Sequence, residues 1–146
     1  MPAAHSRANV VWEGDLPKGK GNLSVESGVL ADQEVTWAAR TQRVKGTTSP
    51  EELLAAAHAS CYAMAFSNTL AKAGSPPSRL VVDATATFEV TEAGAKITTM
   101  ELDVHGVVPG LDQARFEELA RQGEQGCPVS NALRNNVRIT VKARLD

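Results

Sequence analysis

The residues of this chain best suited to nucleophilic or redox chemistry are its two cysteines, Cys61 and Cys127. A thiolate attacks peroxides and disulfides, whereas a buried thiol is an inert apolar group, so the setting of each sulfur decides what it can do. Two cysteines are too few for a disulfide scaffold, and these lack the paired spacing of a structural zinc site or a local CxxC pair. Any bridge between them has to come from the fold.

Cys61 lies in ASCYAMAF, about three turns into a stretch that reads as a long helix, with Ala57, Met64 and Ala65 on neighbouring faces. The helix dipole acts mainly within the first turn, so a thiolate at this depth requires a nearby cation. Cys127 lies in EQGCPVSNAL, where Gly126 loosens the approach and Pro128 suits the first position of a short helix. That places Cys127 at a helix cap, where free N–H groups stabilise a thiolate, as suits a sulfur that leaves when a disulfide is reduced.

His58 stands three residues before Cys61 on a neighbouring helix face. Acid–base chemistry is open to it, although histidines in such places more often pack, cap or hydrogen-bond. A Cys–His hydrolase would use the same pair, but no third orienting residue or oxyanion motif accompanies it. His58, Cys61, His105 and Cys127 have no metal-ligand spacing, and no bound metal or cofactor is expected. A redox sensor that does not turn over, and a pair of inert packing thiols, are equally compatible with the residues alone.

The elements that must position these residues are unevenly marked. In TTSPEE, Ser49 can cap a helix, Pro50 suits its first position and Glu52 completes a capping-box spacing. The Ala- and Leu-rich run from Glu51 to about Ala73 then continues until GSPP, and its apolar residues spread over so much of the surface that the helix should be covered on several sides. Strands are expected at 7–14, from 21 onward, and over Val35 to Val44. LVVDATATFEV at 80–90 and AKITTMELDVHGVV at 95–108 read as an antiparallel pair joined through TEAG. A second helix fits Asp112 to about Glu124, a third begins at Pro128, and the alternation of NVRITVKARL marks a half-buried last strand. The order implies one α+β domain over residues 1–146, with helices covering one face of antiparallel sheet.

The 146 residues, 42% of them apolar, can build a real core. A net charge of −2 gives little attraction for a phosphate backbone, so no nucleic-acid partner is expected. Arg134, Arg138, Lys142 and Arg144 mostly alternate, which makes them the solvated side of the last strand. No run of 18 apolar residues and no signal-peptide pattern occurs, so no membrane association and a cytoplasmic location are expected.

The strings GTTSPEELLAAAHASCYAMAFS and GCPVSNAL, with the opening WEGDLPKGKGNLSVESGVL, resemble the OsmC branch of the OsmC/Ohr peroxide-resistance family. The resemblance covers nearly the whole chain, with both cysteine contexts in order. It implies a homodimer of intertwined subunits, antiparallel sheets and long central helices, which reduces organic hydroperoxides and hydrogen peroxide at the expense of a dithiol reductant. It also implies that Cys61 is the peroxidatic residue and Cys127 the resolving one, with Glu51 holding an arginine that activates the thiolate. Arg40 is the first choice for that arginine, and Arg43 the alternative if the register of RTQRVKGTTSP shifts. His58 and Met64 would belong to the substrate environment. Glu51 lies ten residues before Cys61, roughly 15 Å along a helix axis, so it acts on the sulfur only through that arginine.

Overall fold

The computed structural model describes residues 1–146, in two compact units, Met1–Leu53 and Leu54–Asp146. The first is a three-stranded antiparallel sheet of β1 (Ala8–Glu13), β2 (Lys20–Val25) and β3 (Gln33–Val35) in that order, followed by helix α1 (Trp37–Gln42). The expected strand over Val35–Val44 is therefore corrected: it ends at Val35 and turns into a helix. The reason is local. Thr36 is extended and its side chain accepts from the Ala39 N–H at 3.0 Å, which caps a run of good helix formers, Ala, Ala, Arg and Gln.

Helix α2 (Pro50–Lys72) begins where the sequence places it. Ser49 Oγ accepts from the Glu52 N–H at 3.1 Å, but Glu52 does not close the box, since its carboxylate accepts instead from Thr48 Oγ1. Further along, His58, Tyr62, Phe66 and Leu70 form a fully buried stripe with a spacing of four, while Ala56, Ala57 and Met64 face outward. Covering on several sides is thus not achieved within one chain.

In the second unit, β4 (Arg79–Thr91) and β5 (Gly94–Val107) form the expected antiparallel pair. The last strand, β6 (Arg138–Leu145), alternates as predicted but pairs with β5 in parallel, Leu102 opposite Val141, so this sheet is mixed. A period of two is common to both pairings. The direction is set by the crossover through α3 (Gln113–Gln125) and α4 (Pro128–Leu133), which a parallel pair needs.

Tyr62, Phe66 and Leu70 of α2 pack with Leu102 and Val104 of β5 and with Phe116, Leu119 and Ala120 of α3. The Phe66 ring lies 5.6 Å from that of Tyr62 and 5.1 Å from that of Phe116. Each such side chain contributes about 1.5–3 kcal/mol by burial. Gly123 lets α3 approach this stripe, because a Cβ there would stand 3.0 Å from the Phe66 Cα. Cys127 belongs to the same cluster.

Candidate active site

Helix α2 turns Cys61 to the border of its buried stripe, next to Tyr62, and leaves it half-buried. Cys127 is held differently. Helix α3 ends at Gly126, the Cys127 N–H donates to the Glu124 carbonyl at 3.1 Å, and the Cys127 carbonyl accepts the first hydrogen bond of α4 from Asn131 at 2.9 Å. Cys127 is therefore the cap of α4, with Pro128 behind it, but its side chain caps nothing. The sulfur is fully buried and lies within hydrogen-bond reach of the Cys61 thiol, both cysteines being free. The fold thus joins two sulfurs that the sequence keeps far apart.

The electrostatics of Cys61 favour the thiol. Desolvation raises its pKa first, the hydrogen bond and charge of Cys127 raise it further, and the Val129 N–H, which donates to the Cys61 sulfur, works in the opposite direction. A cation at this sulfur would act against burial and favour the thiolate.

Around the cysteines stands a set of polar groups in apolar packing. His58 Nε2 and Ser130 Oγ are 2.7 Å apart, and both residues are fully buried. Burial holds the His58 pKa below its ordinary value, against the weaker opposing pull of the Glu124 carboxylate, so the ring is neutral at pH 7. Glu124 is itself buried and pairs with Arg134. Arg134 Nη1 donates to Oε2 at 3.3 Å, and Nη2 stands 2.9 Å from Oε1 outside hydrogen-bond alignment, so that second contact is purely electrostatic. Tyr62 donates to the Ala120 carbonyl at 3.0 Å. Its phenol is kept protonated by burial and by the negative ends of Glu124 and Cys127.

In the first unit, α1 and the first turn of α2 bring Arg40 to Glu51. Both Nε and Nη2 of Arg40 meet Glu51 Oε1, at 2.9 and 2.8 Å, and the guanidinium carbon lies 6.0 Å from the Trp37 ring centroid. Arg43, by contrast, is the exposed left-handed cap of α1 with φ 54°. The arginine that Glu51 holds is thus Arg40. The other oxygen, Glu51 Oε2, is buried with no hydrogen-bond partner in the chain. Met64 is 68% exposed and lines a cavity of about 620 Å³ with Ala63, Ser67, Pro77, Arg79 and Leu80. No three His, Cys, Asp or Glu side chains are grouped to hold a metal ion, and no helix is long and apolar enough to cross a membrane.

Two reduced sulfurs in mutual reach, one half-exposed and one sealed in a core, define a two-cysteine thiol redox centre. The exposed sulfur can take up an oxidant, and the buried one can receive the result as a disulfide. Comparison with known proteins places it more narrowly. Residues 43–142 match the model of the OsmC-like protein family. The chain is 39% identical over 133 residues to the peroxiredoxin OsmC of Escherichia coli, covering 91% of this chain and 92% of that one. It is 33% identical over 95 residues to an organic hydroperoxide resistance protein of Xanthomonas axonopodis, covering 64% and 65%. Among solved structures, the organic hydroperoxide resistance protein OhrB of Bacillus subtilis is similar with a TM-score of 0.74 at 25% identity, covering 94% of this chain and 98% of that one. An OsmC protein from Legionella pneumophila gives 0.73 at 24%, covering 98% of each. The chain belongs to the OsmC/Ohr family, on its OsmC side.

Sequence reasoning did not single out Ser130, Val129, Glu124 or Arg134. A usable signal existed for one of them: Ser130 follows Cys127 by three residues as His58 precedes Cys61 by three, which puts each one helical turn from a sulfur.

Proposed function

We infer that this chain is a thiol-dependent hydroperoxide reductase in which Cys61 attacks the peroxide and Cys127 resolves the product. The observation that carries the reading is the contact between the Cys61 and Cys127 thiols, with the Val129 N–H donating to the attacking sulfur. Cys61 as thiolate attacks the nearer peroxide oxygen, the O–O bond breaks, and an alcohol, or water from hydrogen peroxide, leaves after protonation. Cys61 is now a sulfenic acid. The Cys127 thiol attacks its sulfur, the S–O bond breaks and water departs, leaving a disulfide. A dithiol reductant restores both thiols and is itself oxidised to a disulfide.

The cation this first step needs is assigned to Arg40, of the same chain or of a partner, with Glu51 as the residue that positions it. Its support is the two-nitrogen grip of Glu51 on Arg40 and the family resemblance. Residues 1–146 act as one OsmC-like domain in a cytoplasmic homodimer. The outward Ala56, Ala57 and Met64 of α2, the wholly exposed β1 and the orphaned Glu51 Oε2 all support a second subunit. Apolar neighbours such as Met64 suit organic hydroperoxides at least as well as hydrogen peroxide.

Loss of peroxide in the presence of a dithiol tests the reading directly. Cys61→Ser should abolish it, and turnover near the wild-type rate in that variant would exclude Cys61 as the nucleophile. Sedimentation over a concentration series reads the assembly, where a fully active monomer would exclude the dimer.

A further inference from the structure

Helix α4 has six residues, too few to be stable by itself, yet it carries the cap sulfur of Cys127 and the Val129 N–H that touches Cys61. Something else must fix it. On one side Arg134, just past its end, reaches back to the Glu124 carboxylate and, through Nη2, to the Glu124 carbonyl at 3.4 Å, closing the turn between α3 and α4. On the other side the 2.7 Å contact of His58 with Ser130 ties α4 to α2.

The placement of this second tie is what matters. His58 is one turn before Cys61 on α2, and Ser130 one turn beyond Cys127 on α4, so the polar pair bridges the same two helices as the sulfur pair. Both side chains are fully buried, and each would lose its polar partner without the other. A disulfide forms only when the Cα atoms stand within about 7 Å and the sulfurs close to about 2.05 Å, so a small drift of α4 on α2 slows it sharply.

We propose that His58 and Ser130 are positioning residues for disulfide formation, their hydrogen bond holding α4 on α2 so that the Cys61 sulfenic acid meets Cys127 before a second peroxide. The proposal rests on Cys127 as the resolving residue. Two reactions compete for the sulfenic acid. In one, the Cys127 thiol displaces its oxygen as water and forms the S–S bond. In the other, the sulfenate attacks a second hydroperoxide, taking up one oxygen to become a sulfinic acid and releasing the alcohol. The clamp favours the first without touching the peroxide.

Rapid quenching and peptide mass spectrometry separate the steps: oxidation of Cys61, appearance of the Cys61–Cys127 bond, and the sulfinic fraction under excess cumene hydroperoxide. Ser130→Ala should slow disulfide formation about tenfold relative to the oxidation of Cys61 measured in the same sample, the factor given by about 1.4 kcal/mol of lost hydrogen bonding, with sulfinic acid rising accordingly. His58→Leu should shift the ratio of the two steps in the same direction. His58→Gln, whose amide nitrogen can replace Nε2, should restore most of it, and this rescue is not expected of a group that only fills space. Thermal melting of each variant confirms that folded protein is compared. A wild-type rate of disulfide formation in Ser130→Ala, or a His58→Gln no better than His58→Leu, would overturn the clamp. A wild-type protein that cycles without any Cys61–Cys127 bond would instead overturn the resolving role beneath it.

Discussion

Replacing Cys127 by serine tests the division of labour between the two sulfurs, and its cost can be worked from the packing. The site is fully buried among Tyr62, Phe66, Leu119 and Ala120, so an oxygen in place of sulfur must find a partner or go without. An unpaired buried hydroxyl costs about 1–3 kcal/mol, and the Cys61 thiol within reach offsets part of that. For a chain of this size each kcal/mol lowers the melting temperature by about 2–4 °C, so the variant should stay folded and melt a few degrees early. The effect on the first attack has a definite sign. Cys127 raises the Cys61 pKa through its hydrogen bond and its charge, so removing its sulfur increases the thiolate fraction at neutral pH, and the first oxidation should be at least as fast as in the wild type.

Resolution, however, should be lost. After one equivalent of organic hydroperoxide the serine variant should carry a sulfenic acid at Cys61 and no intramolecular bond, and excess peroxide should drive it to sulfinic acid. Stopped-flow peroxide loss, a sulfenic-acid trap and non-reducing peptide maps read the three quantities in one preparation. Cys127→Ala, which buries no hydroxyl, separates the chemical loss from any loss of stability. Sustained turnover at the wild-type rate in both variants would refute the assignment of Cys127.

Stability should also depend on pH through His58. Its folded pKa lies below the ordinary 6.5, so as pH falls from about 6.5 the unfolded chain gains a proton that the folded ring refuses, and stability declines towards the folded pKa while remaining unaffected above 6.5. Melting curves from pH 7.5 to 5 should show this loss, reduced in His58→Gln; equal slopes in the two proteins would contradict it. Glu51→Gln removes the charge that holds two nitrogens of Arg40 and should cost about 1–3 kcal/mol in denaturant unfolding. If Arg40 serves the Cys61 thiolate, the same change raises the Cys61 pKa in a thiolate titration, and an unchanged titration would dissociate the ion pair from the sulfur.

How far the site could be read from sequence follows the range of the forces involved. Helix α2 was legible because Ser49, Pro50 and the Ala-rich run act within a few residues of one another, and the cap at Cys127 because Pro128 follows it directly. The strand expected over Val35–Val44 failed because apolar residues at 35, 37 and 44 resemble a strand, while the Thr36 cap that decides for helix is a single side chain. The exposed side of α2 could not be foreseen from alanines, which suit a core and a surface alike. Parallel pairing of β6, the geometry of the Arg40–Glu51 ion pair, and the His58–Ser130 contact across 72 residues all depend on the fold.

The two steps of the chemistry make opposite demands on one environment. Thiolate formation at Cys61 is opposed by burial and by Cys127, the neighbour proposed to resolve its sulfenic acid, so packing lowers the thiolate fraction. A cation at the sulfur would oppose both. Once the sulfenic acid exists, the demand reverses: the disulfide carries no charge, and an apolar site around Cys127 holds it without desolvating an ion. Burial that slows an unassisted thiol therefore serves the trapping step. If Arg40 is that cation, reactivity is gated by its charge, and protection against overoxidation by the position of α4. A substitution at Arg40 or Glu51 should then slow the first oxidation while leaving the sulfinic fraction per turnover unchanged. A substitution at Ser130 should instead raise the sulfinic fraction relative to the first oxidation.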